Sequence, residues 1–261
     1  MAQGVSRTRF NSAGLLQQLT ELAVADVGEP RQSFAERLGE WLHLNDALAL
    51  YAALNAAEPG AAARTATAES SPATGAAAQL ARVRAELAAA MLAQKPVPAV
   101  ELPTRRNAAR TDAVVDSSQS VAIDPASVVP ASFASFERYY VAQQRSMAAS
   151  SAALRASLRA RLARQGSALQ QLATLDAVLD QGLSAREASL LGNVPLLLAK
   201  RFEYLRAAQP DLDETPQAGD WQAEFVTEMQ GVLLAELDLR LMPSAALVAA
   251  LVQTPLSESM R

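Results

Sequence analysis

The chain has 261 residues, half of them hydrophobic, with a formal net charge of −4 and a sequence pI near 5.2. That is enough material for one sizeable core with appendages, and the mild acidity argues against a general binder of nucleic acid or acidic lipid. Cysteine is absent and histidine occurs once. A disulfide framework, a thiolate metal site, and any metal centre or Ser-His-acid triad that needs further histidines are therefore excluded.

Ala and Leu dominate, aromatics make up only 5%, and no window shows sustained β-branched alternation. Such a composition favours helix throughout, and the expected fold class is all-α. Ser12 can cap a first helix carrying Leu15, Leu16, Leu19, Leu22 and Ala23, which Gly28-Glu29-Pro30 ends. Ser33 with Glu36 forms a capping-box pattern and opens a second helix with Phe34, Leu38, Trp41 and Leu42 on one side. Asn45 or Asp46 would cap a third, carrying Leu50, Tyr51 and Leu54. Residues 12–56 thus read as a compact three-helix unit. Its Phe34/Trp41/Leu54 face must be covered, so the unit is expected to dock on the rest of the chain.

Residues 57–75, rich in Ala, Thr, Ser, Pro and Gly, have no periodicity and read as a flexible linker. An isolated helix is expected over 76–94, with the sparse stripe Leu80, Val83, Leu87 and Met91. Residues 95–130 read as a Pro-rich second linker.

The organising stretch is the long hairpin predicted over 131–208. Phe133, Phe136, Tyr140, Met147, Leu154, Leu158 and Leu162 share one helical stripe. Gln143, Gln144, Ser150 and Ser151 interrupt it and suggest a loosely packed or partner-facing turn. Gly166 can take a left-handed conformation past the helix end, and Ser167 can cap the next helix, whose face is Leu169, Leu172, Leu175, Leu179 and Leu183. Ser184 with Glu187 either opens a new helix or lies inside a continuous one. Pro195, with no N–H and a ring that clashes with the Leu191 carbonyl, should kink the chain near Gly192-Asn193. Leu197, Leu198, Phe202 and Leu205 continue the face.

Residues 209–252 should pack on this hairpin. Asp220 can cap a helix with Trp221, Phe225, Met229, Val232, Leu233 and Leu237, expected to end at Pro243, and 244–252 forms a second, short helix. The N-terminus lacks a signal-peptide core, and the longest uncharged apolar runs, such as 245–252, fall far short of the ~20 residues that span a bilayer. A cytoplasmic protein with no membrane insertion is expected.

Candidate chemistry is sparse. His43 projects away from the Phe34/Leu38/Trp41 face and reads as a surface residue. Glu236 falls inside the apolar face of the Trp221 helix with Arg240 four residues on, the favourable order for a structural ion pair. Asp176 lies beside Leu169 and Leu183. With Glu236 it makes the only carboxylate pair worth weighing for hydrolysis, and that reading requires the two to be close and not both paired to arginine. The first hairpin helix is basic, with Arg138, Arg145, Arg155, Arg159, Arg161 and Arg164 against Glu137, whereas the 211–238 segment is acidic. The two bands suggest docking within the chain or between protomers. Nucleic-acid regulation through the Arg band is the alternative, unsupported by any aromatic-interleaved motif. No phosphate-loop or nucleophile-elbow pattern occurs, and Lys95 and Lys200 are the only lysines. No catalytic, cofactor or metal residues are assigned. Phe34, Trp41, Arg155, Arg159 and Trp221 are the candidates for partner binding.

Four segments are familiar together: Arg31–Leu42 (RQSFAERLGEWL), Leu175–Leu179 (LDAVL), Arg201–Arg206 (RFEYLR) and Leu234–Leu241 (LAELDLRL). They resemble a proteobacterial family classed as a domain of unknown function, all-helical and rich in Ala, Leu and Arg. The family has no established activity, so the resemblance carries no catalytic residues. Its members are often encoded beside OmpA-like or motor-like membrane proteins. The resemblance therefore implies a cytoplasmic accessory of an envelope-associated assembly, with protein partners encoded nearby. The expected function is a non-enzymatic helical interaction or scaffold protein, with homo-oligomerisation a further expectation.

Overall fold

A computed structural model describes residues 13–22, 34–55, 72–93, 132–208 and 220–253. Among them are eight helices and no strand: α1 (Ala13–Glu21), α2 (Phe34–Trp41), α3 (Leu44–Asn55), α4 (Pro72–Ala93), α5 (Ala134–Leu162), α6 (Ser167–Leu191), α7 (Val194–Ala207) and α8 (Asp220–Gln253). The protein is all-α, as its composition predicts.

The architectural hub is α8. At 34 residues it is a rod of about 51 Å, and α1, α4, α5 and α7 all pack against it. Its inner face, from Trp221 through Leu237 and Leu241 to Leu251, is buried, Phe225, Met229, Val232 and Leu233 completely. The 29-residue α5 delivers the predicted stripe, with Phe136, Tyr140, Met147, Leu158 and Leu162 fully buried. One end of the bundle is an aromatic cluster. Phe202 of α7 lies 5.1 to 5.7 Å from the rings of Phe133, Phe136, Trp221 and Phe225, edge-on to the last two and tilted against the first two. Four of the chain's six phenylalanines are therefore used to join α5, α7 and α8.

Several boundaries differ from the sequence expectation. Pro243 lies inside α8 instead of ending it. Its missing N–H removes one hydrogen bond toward Leu239, but Leu247, Val248 and Leu251 beyond it remain in the core, and their burial keeps the rod going. Ser184 is interior to α6. Gly166, not Ser167, is the N-cap of α6, at φ 141° and ψ 169°. Only glycine adopts that region freely, so the reversal between α5 and α6 depends on it. Gly192 and Asn193 separate α6 from α7, and the Asn193 amide donates to the Ser189 carbonyl at 3.0 Å. Asp46 sits at the third position of α3, where its carboxylate accepts from the backbone N–H of His43 at 3.1 Å, the reverse half of a capping box.

α4 is not isolated. It begins at Pro72, where a residue without an N–H suits the first turn, so 72–75 belong to the helix and not to a linker. Ala76 and Met91 are fully buried against the bundle. Tyr139 and Gln230 donate to the Met91 carbonyl at 2.7 and 3.4 Å, satisfying an end that has no helical partner. The remainder of the two expected linkers, 57–71 and 95–130, lies outside the described residues, as do the Ser12 and Ser33 caps. The N-terminal helices do not form a unit of their own. α1 packs on α8 through Leu15, Leu19 and Leu22, and Gly231 leaves room there for Gln18, whose Oε1 is 3.0 Å from where a Cβ would stand. α2 and α3 instead pack on α6, where Gly182 admits Leu42 and Asp46.

Candidate functional site

Three features decide what this molecule can do chemically: a buried charge network on α8, an ion-pair ladder between α5 and α6, and an uncovered face on α3.

Glu236 has no solvent exposure. Ionised carboxylates survive such burial only with several donors, and three side chains supply them. Tyr140 donates its hydroxyl to Oε2 at 2.8 Å. Gln144 donates to both oxygens at 3.1 and 3.0 Å, and Arg240 grips Oε1 through Nε and Nη2 at 2.9 and 2.8 Å. Gln144 also reaches the Leu191 carbonyl at 3.0 Å, and Arg240 reaches Glu187 at 3.2 Å, which stitches α5, α6 and α8 together. Burial, reinforced by the Glu236 charge and hydrogen bond, pushes the Tyr140 phenol well above its ordinary pKa, so it stays a donor. Of the polar residues expected to mark a loose or partner-facing turn, Gln144 belongs to this satisfied network, whereas Ser150 lines a groove between α4 and α5. Gln143 itself is buried.

Asp176 belongs to the second network. Arg155 holds it with a two-pronged contact at 2.7 and 2.9 Å and reaches Asp180 at 2.8 Å. Arg159 touches Asp176 at 3.2 Å and Asp180 at 2.9 Å. Two guanidiniums and two carboxylates, spaced four residues apart on facing helices, neutralise one another. Burial opposes the charge on Arg155, but the hydrogen bond and charge of Asp176, with Asp180 beyond, hold its pKa above the ordinary value.

These contacts decide several expectations. Glu236 and Asp176 are both paired to arginine, so the two-carboxylate hydrolase does not meet its own condition. Arg155 and Arg159, expected to face a partner, are ion-paired to Asp176 and Asp180 within the chain. In the described part of the acidic band, Asp238 meets Arg84, Glu228 meets Arg201 and Glu236 meets Arg240, none of them an α5 arginine; Asp211, Asp213, Glu214 and the Asp220 side chain lie outside the described residues. Trp221 lies in the aromatic cluster and not on a surface. Trp41 is half-buried with the Arg186 guanidinium 5.6 Å over its ring. The side chain of Phe34 lies outside the described residues. His43 and Lys200 are exposed. Among the described residues no group of three or more His, Asp or Glu is placed to hold a metal ion. A groove of about 340 Å³ between α4 and α5 is lined mainly by Val83, Leu87, Ala153 and Leu154, with Glu86 its one titratable group.

The third feature is α3. Apart from Asn45, Asp46 and Asn55 it is built of Leu, Ala and Tyr. Leu50 and Ala53 turn toward α6, and Gln171 donates to the terminal carbonyls of Ala53 and Leu54 at 3.3 and 3.0 Å. Its opposite face carries Leu44, Leu48, Tyr51 and Leu54, exposed by 76, 57, 68 and 55%. Of the Phe34/Trp41/Leu54 face expected to be covered, Leu54 is exposed, and sequence reasoning passed over Leu44 and Leu48.

Fold and site together define an all-helical protein in which the buried Glu236 network and the Arg155/Arg159–Asp176/Asp180 ladder tie helices together. The chain belongs to the family described as "Protein of unknown function (DUF3348)", which matches residues 1–253. No curated protein and no solved structure is significantly similar to it. No helix among the described residues is long and apolar enough to cross a membrane.

Proposed function

We propose that the protein is a non-enzymatic helical interaction module. The observation that carries this reading is the set Leu44, Leu48, Tyr51 and Leu54, four exposed large apolar side chains that no described residue covers, on a helix whose other side is fixed to α6. Supporting it, the charged groups that could have served chemistry, Asp176, Asp180 and Glu236, are engaged by arginines. From the family resemblance alone we further propose a protein partner in an envelope-associated assembly.

The test compares the wild-type chain with Leu48→Glu as immobilised baits, each offered its own host's proteins and soluble wild-type chain. Specific retention by wild type that the variant loses, at equal helical content by circular dichroism, is expected. A wild-type bait that retains neither a host protein nor itself, or a variant that retains the same set, refutes the assignment.

A further inference from the structure

Helix α6 turns opposite faces to different neighbours, and its apolar middle does not face the bundle. Laid out at 100° per residue, Leu169, Ala173, Asp176, Asp180, Glu187 and Leu191 fall within about 60° of one another and form the inner face. Leu169, Ala173 and Leu191 anchor its ends in the bundle core. The inner positions between those anchors are acidic, and arginines of other helices meet them. Asp176 and Asp180 pair with Arg155 and Arg159 of α5, and Glu187 with Arg240 of α8.

The opposite face, with Gln171, Leu175, Val178, Gly182 and Arg186 within about 80°, carries α2 and α3. Gln171 holds the Ala53 and Leu54 carbonyls, and Arg186 lies 5.6 Å over the Trp41 ring. Gly182 admits Leu42, whose Cδ2 is 3.0 Å from where a Cβ would stand.

We infer that α2, α3 and α6 form one lobe, latched by charge to the rest of the bundle, and that this lobe opens as a unit before the bundle does. The inference does not depend on what the α3 face binds.

The division of apolar contacts supports it. The bundle core takes in Leu169, Ala173, Leu191 and part of Leu172 from α6 but, among the described residues, no side chain of α2 or α3. Ala53, buried in α3, lies outside that core. Within the core and within the lobe, then, apolar burial supplies the cohesion. Between them it does so only at the two ends of α6, where Gln144 adds a hydrogen bond to the Leu191 carbonyl. Across the middle the attraction is between charges. The four ladder side chains keep 13 to 31% exposure, so lost hydration offsets much of what their pairing gains. Glu187 is 47% exposed, and its pairing is weaker still. Docking of this kind is specific in register and shallow in energy, the condition for sub-global opening. The joints suit it as well: α6 meets α5 across Gly166, at φ 141°, and α7 across Gly192-Asn193.

Hydrogen exchange of the full chain, read peptide by peptide by mass spectrometry, tests the latch. Raising NaCl from about 0.1 M to about 1 M shortens the screening length from about 10 to about 3 Å. Peptides from α3 and from residues 174–187 should then exchange about threefold faster or more, in step, while those from α4 and α8 hold their rates. The double substitution Asp176→Asn with Asp180→Asn, at the lower salt, should accelerate the same two regions by about tenfold or more. Its effect on α3 is the telling one, because α3 lies on the other side of α6 from both carboxylates. Acceleration spread equally over all helices, acceleration confined to the neighbours of residues 176 and 180, or none at all overturns the inference. Should the double variant fail to fold, the salt series on the wild type decides alone: α3 and 174–187 responding together and apart from α8 supports the latch, and any other pattern refutes it.

Discussion

Removing Arg240 is the sharpest probe of the interior. Arg240→Met takes away the guanidinium that grips Glu236 at 2.8 and 2.9 Å, leaving a carboxylate with no solvent exposure held only by Tyr140 and Gln144. Breaking a buried pair from one side costs about 3–5 kcal/mol, and the two remaining donors place this case at the lower end, about 3 kcal/mol. Glu236→Leu should cost a similar amount for a different reason. Arg240 keeps Glu187 at 3.2 Å, but the buried Tyr140 hydroxyl loses its acceptor, worth about 1–3 kcal/mol, and the guanidinium its closest anion. Combining the two substitutions removes both charges, so the double variant should fall short of the sum by at least about 1 kcal/mol. Urea unfolding followed by far-ultraviolet circular dichroism measures all three, with an unchanged denaturant slope as the condition for comparison. The control is Arg82→Met, whose partner Glu86 is 3.7 Å away with both side chains over two-thirds exposed, and which should cost under about 0.5 kcal/mol. An Arg240→Met no more damaging than that control, or strict additivity in the double variant, would refute the claim that this network holds the helices in register.

Three further outcomes follow from the packing. Phe202→Ala empties the centre of the aromatic cluster and should destabilise by about 3–5 kcal/mol, while Tyr204→Ala, 64% exposed two residues away, should cost under about 1 kcal/mol by the same denaturation assay. The raised pKa of Tyr140 means the folded state holds that proton more tightly than the unfolded state does. Its stabilising contribution is complete below the ordinary phenol pKa of 10.0 and is lost as pH rises through the higher folded value. Stability should therefore fall above pH 10 with up to about 1.4 kcal/mol per pH unit from this group, and Tyr140→Phe should flatten that part of the slope. Pro243→Ala restores an N–H facing Leu239 inside a continuous helix and should raise the melting temperature; a decrease would show that Leu247, Val248 and Leu251 need the geometry proline imposes.

The helical class and most of the core stripe were legible because both follow from local spacing. Phe136 to Leu162 and Trp221 to Leu237 recur at helical intervals, and those positions are buried. Long-range pairing was not legible. Nothing local says that Arg155 and Arg159 meet Asp176 and Asp180, although the matched four-residue spacings on consecutive helices were a usable signal. Nor does spacing separate a polar residue that interrupts a core from one that completes it: Gln144 looks the same in sequence whether it faces a void or Glu236. The hub was misplaced for a related reason. Pro243 reads as a stop by local rules, and dividing α8 there concealed the longest of the described helices, whose continuity depends on contacts made far along the chain.

The same limit bears on function. In α3, Leu50 and Ala53 form one stripe while Leu44, Leu48 and Tyr51 form another, and composition alone ranks neither as the buried one. Packing decides: Gln171 and Gly182 of α6 fix the first stripe inward, and so the larger side chains of the second are left outward. Exchanging the two faces would bury more apolar area within a single chain, at the cost of the Gln171 caps and the close approach at Gly182. That the larger apolar face points away from the bundle is therefore hard to explain by monomer stability alone, and easy to explain if its burial is completed by association.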